Sequence, residues 1–145
     1  MEIRNVLVVG AGQMGSGIAQ VFAQAGFRVA VFDQAPGTVQ RALEVIGSRL
    51  SRDVEKNRLS QREMTEVLAR LVPATSLDDG HDADFVIEAV TESKEVKEDV
   101  FRRLDQLMRP EVVLASNTST ISITTLASAT GRPDRVVGMH FFIPA

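Results

Sequence analysis

The sequence has no cysteine among its 145 residues. Disulfide bonds and thiolate chemistry are therefore excluded, and the composition is compatible with a reducing cytoplasm. Long apolar runs are missing as well. The first run, at residues 6–9, is far shorter than a signal peptide or a membrane span requires, and the acidic Glu2 precedes it. We expect a soluble, untargeted, cytoplasmic protein that does not bind a membrane.

Blocks of basic residues are also missing. The 16 Lys and Arg residues are mixed with 19 Asp and Glu residues along the chain, which gives a formal net charge of -3. This pattern argues against a nucleic-acid surface and favours a small ligand. The sequence shows no repeat, low-complexity tract or linker, and no metal site is predicted. The length suits one domain, residues 1–145.

Short apolar runs recur along the chain and are rich in β-branched residues. Runs that are nearly continuous in hydrophobicity are typical of strands buried on both faces of a parallel sheet. A further weak strand is predicted near Val72. The predicted strands are Val6 to Val9, Val29 to Phe32, Phe85 to Val90, Val112 to Ala115 and Val136 to His140.

Helical patterns separate these strands. Ser60 and Glu63 have the spacing of a capping box, which predicts a helix from there through Leu71. Alternating strands and helices predict an α/β fold, a doubly wound Rossmann-type parallel sheet with helices on both faces. Two amphipathic helices are predicted from apolar residues at three- or four-residue intervals: Val39, Leu43, Ile46, Leu50 and Val54, and then Val96, Val100, Leu104 and Leu107.

A glycine-rich stretch, "GAGQMG", follows the first predicted strand and opens a helix. Gly10 permits the tight turn out of the strand, Gly12 lets a pyrophosphate approach the backbone, and Gly15 lets the helix pack against the strand. The free N–H groups at the helix start, around Gln13 and Met14, then face the phosphates. We therefore predict a dinucleotide-binding loop at this position.

Asp33 ends the second predicted strand, 18 residues after Gly15. A carboxylate there would accept hydrogen bonds from both adenosine ribose hydroxyls and repel a 2′-phosphate, so we predict NAD rather than NADP as the cofactor. The alternative is an ordinary tight turn with a solvated aspartate. Methyltransferases also combine a glycine loop with a following acidic residue, so these residues alone do not name the reaction.

Three later segments carry a more specific pattern: "FVIEAVTESKEVKEDVF", "LASNTSTISI" and "RVVGMHFFIPA". Together with the opening "GAGQMGSGIA", and in this order and spacing, they resemble the NAD-binding domain of the L-3-hydroxyacyl-CoA dehydrogenases. Those enzymes oxidise the 3-hydroxyl of fatty acyl-CoA thioesters. The resemblance extends over essentially the whole chain.

The resemblance implies roles for residues on three segments. Glu92 and Lys97 would lie along the cofactor near its ribose and nicotinamide, although the residues alone allow a solvated surface position equally. Asn117 would orient its own loop or contact the cofactor. Ser119 would hydrogen-bond the reacting oxygen of the substrate. Without the resemblance, Ser119 is better read as the N-cap of a helix over residues 121–129.

His140 follows Ser119 by 21 positions, at the end of another apolar strand. The resemblance implies that it is the general base, which the chemistry needs because hydride leaves C3 only as the hydroxyl proton is removed. Taken alone, it would more often be a neutral core histidine. Lys56, at the end of a long helix, is implied to reach the CoA phosphates. A solvated lysine at a favourable helix end is an equal alternative.

Two departures from the family pattern stand near the end of the sequence. Ile143 occupies a position where the family commonly has asparagine, which leaves the acyl preference open. The glutamate that supports the catalytic histidine, and the helical domain that supplies much of the substrate pocket and the homodimer contact, are expected beyond Ala145. The 145-residue chain alone is therefore expected to be inactive in turnover.

Three functions follow as hypotheses. The leading one is the NAD module of a 3-hydroxyacyl-CoA dehydrogenase with an acyl-CoA substrate, in β-oxidation or related acyl-CoA metabolism. The second is a related NAD-dependent dehydrogenase of another 3-hydroxy acid derivative, which Ile143 would favour. The third is a non-catalytic NAD-sensing module, because a fold does not fix a function.

Overall fold

The computed structural model describes residues 2–141 of the chain, and they form one parallel sheet covered by helices. Its six strands run in the order β3-β2-β1-β4-β5-β6, so the strand order reverses between β1 and β4. The predicted doubly wound α/β fold is confirmed. The strands are β1 (Asn5–Val9), β2 (Arg28–Phe32), β3 (Leu71–Pro73), β4 (Phe85–Glu88), β5 (Val113–Ser116) and β6 (Val136–Gly138).

Helices cover both faces of the sheet. Strand β1 shows why, since Val6 and Val8 pack on one face and Leu7 and Val9 on the other. The first three helices pack on the side of Val6, and the last two pack on the side of Leu7. The helices are α1 (Gln13–Gln24), α2 (Thr38–Glu55), α3 (Gln61–Arg70), α4 (Lys94–Leu107) and α5 (Ile123–Ala127), with short 3₁₀ turns at Leu77–Gly80 and Pro133–Arg135.

The capping box that begins α3 is confirmed. Ser60 Oγ accepts a hydrogen bond from the Glu63 backbone N–H at 3.0 Å, and Glu63 Oε1 accepts one from the Ser60 backbone N–H at 3.1 Å. The reciprocal pair satisfies two amides that the first turn leaves without helical partners. A local sequence pattern was therefore sufficient to place this helix start.

Two predicted strands end earlier than the apolar pattern suggested. Strand β4 ends at Glu88 rather than Val90, and β6 ends at Gly138 rather than His140. At β4, the Val90 N–H turns back to donate to the Glu88 carboxylate at 2.7 Å instead of continuing the ladder. Both shortened ends leave loop residues at the carboxyl edge of the sheet, where this fold binds its ligands.

Helix α4 presents a different buried face from the one predicted. Val96 is 40% exposed, whereas Lys97 and Phe101 are buried together with Val100 and Leu104. Val96 instead lines a pocket at the carboxyl edge. The apolar spacing could not show this, because the true core face includes a lysine whose charge is neutralised by partners from other elements.

Arg132 fixes the carboxyl end of α4. Its buried guanidinium donates to the carbonyl oxygens of Asp105, Met108, Arg109 and Val112 at 2.6–3.0 Å and to the Asp105 carboxylate at 2.7 Å. The last carbonyls of a helix have no partners within the helix, so an arginine that reaches several of them acts as a cap.

Candidate active site

Two adjoining pockets lie at the carboxyl edge of the sheet, where the chain leaves the neighbouring strands β1 and β4 toward opposite faces. The first has a volume of about 470 Å³ and the second about 340 Å³, and both are lined by Ala89 and Val90, which follow β4. The two pockets meet at these shared residues, beside the topological switch point. This is the place where an open doubly wound sheet binds a ligand.

The glycine loop forms the floor of the cleft. Gly10 has φ of +107°, and a Cβ there would lie 2.5 Å from the Ala89 carbonyl oxygen; a Cβ on Gly15 would lie 1.8 Å from the Gly10 oxygen. These two glycines are thus required by the packing of the protein itself. A Cβ on Gly12 would meet nothing within 4 Å, and Gly12 lines the first pocket. Its bare backbone faces space that an approaching ligand can use.

The start of α1 offers amides to that ligand. Gly12 is the N-cap of the helix, no side chain caps it, and its first turn carries no acidic residue. The N–H groups that begin with Gln13 and Met14 therefore face the cleft without a side-chain acceptor. Such a helix start attracts an anion such as a pyrophosphate.

Asp33 lies at the rim of the first pocket. Its Oδ2 accepts a hydrogen bond from the Ala11 N–H at 2.8 Å, and its Oδ1 accepts one from the Ala35 N–H at 2.8 Å. The carboxylate thus holds the glycine loop, which the sequence did not indicate. It also remains at the pocket rim, where the predicted contact with a ribose would take place.

The surface of the first pocket is largely apolar. Val90 and two helix α4 residues, Val96 and Val100, line it, and the exposed Arg103 stands on the same helix. A planar aromatic base fits such a slot, because apolar side chains cover its faces and a guanidinium can lie over a ring. The sequence analysis did not single out Arg103.

The second pocket brings together six of the predicted residues. It is lined by Met14, Glu92, Lys97, Asn117, Ser119 and His140, which come from four separate loops and helix starts. Ser119 follows the end of β5 and His140 follows the end of β6. The fold therefore places a candidate base and a candidate hydrogen-bond donor on one cleft that adjoins the glycine loop.

Two alternatives from the sequence are wrong. Ser119 is not the N-cap of α5, because Ser122 occupies that position and accepts a hydrogen bond from the Thr125 N–H at 3.4 Å. His140 is not a core histidine, because it is exposed at the pocket wall. Both side chains are accessible to a bound molecule.

A buried ion pair lies beneath the second pocket. Lys97 Nζ is 2.5 Å from Glu88 Oε2 and 3.1 Å from Glu92 Oε1, and it donates to the Val90 carbonyl oxygen at 3.0 Å. Lys97 is 1% exposed, so a solvated surface position is wrong for it. Three acceptors match the three hydrogens of an ammonium group. The ammonium hydrogens are therefore already used, and any interaction of Lys97 with a cofactor would be mainly electrostatic.

Glu88 is the functional candidate that sequence reasoning missed. It is fully buried at the end of β4, where its Oε1 accepts a hydrogen bond from the Ser116 hydroxyl at 2.6 Å. With the Val90 N–H and Lys97 on Oε2, the carboxylate has partners on both oxygens. A buried charge needs such partners. The available signal was a carboxylate that ends an otherwise apolar run, "FVIE".

Glu92 connects this ion pair to the loop that carries Ser119. Its Oε2 accepts hydrogen bonds from the hydroxyls of Thr118 and Thr120 at 2.8 Å and 2.5 Å. Burial acts to raise the pKa of Glu92, but the hydrogen bonds from Thr120, Thr118 and Lys97, with the Lys97 charge, outweigh it and hold the pKa below its usual range. Glu92 is therefore ionised at neutral pH.

Asn117 joins the two segments that carry Ser119 and His140. Its backbone N–H donates to the Glu88 carbonyl oxygen at 2.9 Å, and its side-chain Oδ1 accepts a hydrogen bond from the Phe141 N–H at 3.1 Å. The side chain of Asn117 therefore connects the loop after β5 to the segment after β6, and its contact with the cofactor stays a prediction.

Two further predicted residues lie elsewhere. Lys56 is exposed at the end of α2, a helix that begins beside Gly12 and carries the chain about 27 Å away over its 18 residues. The structure does not bring Lys56 to either pocket. Ile143 lies outside the described residues. Within residues 2–141, no helix has the length and apolarity needed to cross a membrane.

A doubly wound sheet with a glycine loop at its switch point is typical of a dinucleotide-binding domain. Residues 5–145 match the family model described as "3-hydroxyacyl-CoA dehydrogenase, NAD binding domain", and the chain belongs to this family. The predicted resemblance and the predicted class of cofactor are confirmed by this match.

Full-length relatives and solved structures agree with the family. The chain is 44% identical over 144 residues to a probable 3-hydroxybutyryl-CoA dehydrogenase of Bacillus subtilis, an alignment that covers 99% of this chain and 50% of the relative. It superposes with a TM-score of 0.95 on an (S)-3-hydroxybutyryl-CoA dehydrogenase from Ralstonia eutropha, at 43% identity over 99% of this chain and 50% of that one.

A crystal structure of a 3-hydroxybutyryl-CoA dehydrogenase from Escherichia coli K12 is also similar, with a TM-score of 0.97 at 39% identity. That alignment covers all of this chain and 31% of the E. coli chain. The chain thus spans about half, or less, of the length of the relatives that it matches.

Proposed function

We propose that this chain serves in an NAD-dependent dehydrogenase that oxidises the 3-hydroxyl of an acyl-CoA thioester to a 3-keto group. One observation carries the proposal: His140 and Ser119 line the same pocket, and that pocket adjoins the glycine loop of an NAD-binding domain. A base, a hydrogen-bond donor and a cofactor site in one cleft are what the reaction needs.

The chemistry divides between the cofactor and the protein. NAD, when bound, supplies the carbon that accepts a hydride. The His140 imidazole takes the hydroxyl proton during oxidation and returns it during ketone reduction, because an imidazole nitrogen can both accept and donate a proton. Ser119 donates a hydrogen bond to the same oxygen, which orients it toward His140. Met14 and Asn117 complete the wall around these two side chains.

The cofactor proposal rests on the first pocket. The open backbone at Gly12 and the uncapped start of α1 suit a pyrophosphate, and the carboxylate of Asp33 at the rim suits ribose hydroxyls. A 2′-phosphate would place a dianion beside Asp33, so we infer a preference for NAD over NADP.

The substrate proposal follows the relatives. Those of B. subtilis, R. eutropha and E. coli are named for 3-hydroxybutyryl-CoA, so we take a short-chain 3-hydroxyacyl-CoA as the first substrate to test. Lys56 is proposed to meet the CoA phosphates as a point charge. A homodimer, a cytoplasmic location and the absence of a nucleic-acid partner remain part of this proposal.

The test is an assay of the natural full-length protein with acetoacetyl-CoA and NADH. His140→Gln should lower kcat by about 10²- to 10⁴-fold, the usual contribution of a general base, with little change in the Kd for NAD. The matched control is His81→Gln. His81 is the other histidine of the chain and contacts the Asp78 carbonyl oxygen in an exposed turn, so this variant should keep normal kcat.

Three results would contradict the proposal. Near-normal kcat in His140→Gln would require a different base. If free 3-hydroxybutyrate were turned over as fast as its CoA thioester, the substrate would be a 3-hydroxy acid without CoA. NAD binding without turnover of any 3-hydroxyacyl compound would favour a sensing module.

A further inference from the structure

The loop that carries Ser119 is held from both sides by one carboxylate oxygen. Thr118 and Thr120 flank Ser119, and the hydroxyl of each donates to Glu92 Oε2, at 2.8 Å and 2.5 Å. Ser119 itself lines the second pocket. Ser119 thus lies between two residues that are anchored to the same carboxylate, and its own side chain is exposed at the pocket.

Glu92 is itself fixed from beneath. Its Oε1 lies 3.1 Å from Lys97 Nζ, and Lys97 is immobilised by the buried Glu88 and by the Val90 carbonyl oxygen. Because Lys97 is 1% exposed, its ammonium cannot move into solvent without breaking a buried ion pair. Contacts thus run without interruption from the end of β4 to the loop that carries Ser119.

The two threonines depend on Glu92 to different degrees. Thr118 is buried, and its Oγ1 also accepts a hydrogen bond from the Ile121 N–H at 3.1 Å, which holds the turn together locally. Thr120 is exposed, and the contact of its hydroxyl is with Glu92. Removal of the Thr120 hydroxyl therefore weakens the connection to Glu92 and leaves the hydrogen bonds of Thr118 in place.

We propose that Glu92 is a positioning residue that holds the Ser119 hydroxyl in the cleft through Thr118 and Thr120. The proposal rests on the function proposed above and assigns Glu92 a task different from cofactor contact. A hydrogen-bond donor must meet its oxygen within a few tenths of an ångström, so a loose loop would lower the rate of the chemical step rather than weaken the binding of NAD.

The experiment uses Thr120→Val in the natural full-length protein, because valine keeps the shape of threonine and removes its hydroxyl. We expect kcat with acetoacetyl-CoA and NADH to fall about tenfold to hundredfold while the Kd for NAD stays unchanged. Thr120→Ser, which keeps the hydroxyl, should restore most of kcat. Thr124→Val, an exposed change on α5, is the matched control and should be silent.

Glu92→Ala tests the same connection from the other side. Its effect on kcat should equal or exceed that of Thr120→Val, and the double variant should be no slower than Glu92→Ala, because both changes break one connection. Amide hydrogen exchange at residues 117–121 of the protein without ligand should be faster in Thr120→Val and Glu92→Ala than in Thr124→Val.

The exchange measurement separates this proposal from the proposed function. If the wild-type protein turns over no 3-hydroxyacyl-CoA but exchange at 117–121 rises in both variants, the function is wrong and the connection stands. If Thr120→Val changes neither kcat nor exchange, and Glu92→Ala weakens NAD binding, Glu92 acts on the cofactor alone and the proposal is overturned. If Glu92→Ala does not fold, the comparison of kcat and amide exchange between Thr120→Val and Thr120→Ser tests the proposal.

Discussion

Lys97 and Glu88 contribute to the stability of the domain and also lie next to the candidate active site. Their ion pair lies under the second pocket and is shielded from water, with both side chains at most 1% exposed. Removal of one partner from such a pair typically costs about 3–5 kcal/mol, because it leaves an unpaired buried charge. Variants of either residue will therefore lower stability, and any effect that they have on activity must be separated from that loss.

Asp33 is the residue on which cofactor choice should depend. We predict that Asp33→Ala weakens NAD binding by about 10- to 100-fold, which corresponds to the loss of charge-assisted hydrogen bonds worth about 1.5–3 kcal/mol. The ratio of NADP to NAD affinity should rise, because the repulsion of a 2′-phosphate disappears. Calorimetric titration of each cofactor measures both effects.

Asp33→Asn controls for the second role of this side chain. An asparagine Oδ1 can still accept from the Ala11 N–H and so support the glycine loop, while the negative charge is gone. If Asp33→Asn binds NADP no better than the wild type does, charge repulsion at Asp33 does not set the preference. If the wild type bound NADP more tightly than NAD, Asp33 would not be the residue that selects NAD.

At the scale of elements, α1 depends on a close approach that two glycines permit. We predict that Gly15→Ala destabilises the domain by several kcal/mol or prevents folding, because the added Cβ would lie 1.8 Å from the Gly10 carbonyl oxygen. Gly47→Ala is the matched control. A Cβ on Gly47 meets nothing within 4 Å inside α2, so this change should stabilise by about 0.5–1 kcal/mol.

Urea denaturation of the two glycine variants measures these free energies. Stabilisation in both variants would show that helix propensity, rather than the contact between Gly10 and Gly15, governs the result. Retention of wild-type stability by Gly15→Ala would mean that α1 can shift away from β1 at little cost.

The end of α4 depends on one buried guanidinium. We predict that Arg132→Ala lowers the free energy of unfolding by about 2–4 kcal/mol, because it leaves several carbonyl oxygens near the helix end without a donor. Arg135→Ala removes a nearby arginine whose hydrogen bond to the Glu111 carbonyl oxygen is exposed. This control should change stability by no more than about 0.5 kcal/mol, and equal losses in both variants would contradict the capping role.

At the scale of the whole molecule, Asp84 ties distant parts of the chain together at the amino edge of the sheet. Its Oδ2 accepts hydrogen bonds from the Arg4 and Asn5 N–H groups at 2.9 Å and 3.0 Å, and Arg109 donates to Oδ1 at 2.6 Å. The two backbone hydrogen bonds are the main cause that lowers the pKa of Asp84, and Arg109 adds to it against the opposing effect of burial.

This lowered pKa predicts acid sensitivity. Because folding favours the ionised form, the stabilisation is fully present above the ordinary carboxyl pKa of about 4 and is lost as the pH falls through the lower folded value. Asp84→Asn should cost about 1–3 kcal/mol at pH 7, and the difference from the wild type should shrink below pH 4. Urea denaturation of both proteins at several pH values tests this.

Glu44→Gln is the control for that titration, since Glu44 is exposed on α2. A difference between Asp84→Asn and the wild type that stays constant from pH 7 to pH 3 would mean that the carboxylate charge does not stabilise the fold. A pH dependence as large in Glu44→Gln would point to net charge rather than to the contacts of Asp84.

The sequence by itself determined the features that depend on local pattern. Continuous apolar runs indicated the parallel strands, and Ser60 with Glu63 indicated the start of α3. Ser119 and His140 were predicted as site residues only through the resemblance to a family, whereas the order of glycines predicted the loop between β1 and α1. These signals are local because dihedral preferences, capping hydrogen bonds and burial on both faces act over a few neighbouring residues.

The tertiary structure decided what depends on partners distant in the sequence. It buried Lys97 against Glu88, placed Val96 in a pocket wall rather than the core, and gave the N-cap of α5 to Ser122. The sequence around a lysine looks the same whether its side chain is solvated or paired with a buried carboxylate. Only the packing of α4 across the end of β4 distinguishes these two environments. The free energy of a buried charge depends on those long-range neighbours, and so no local pattern could predict it.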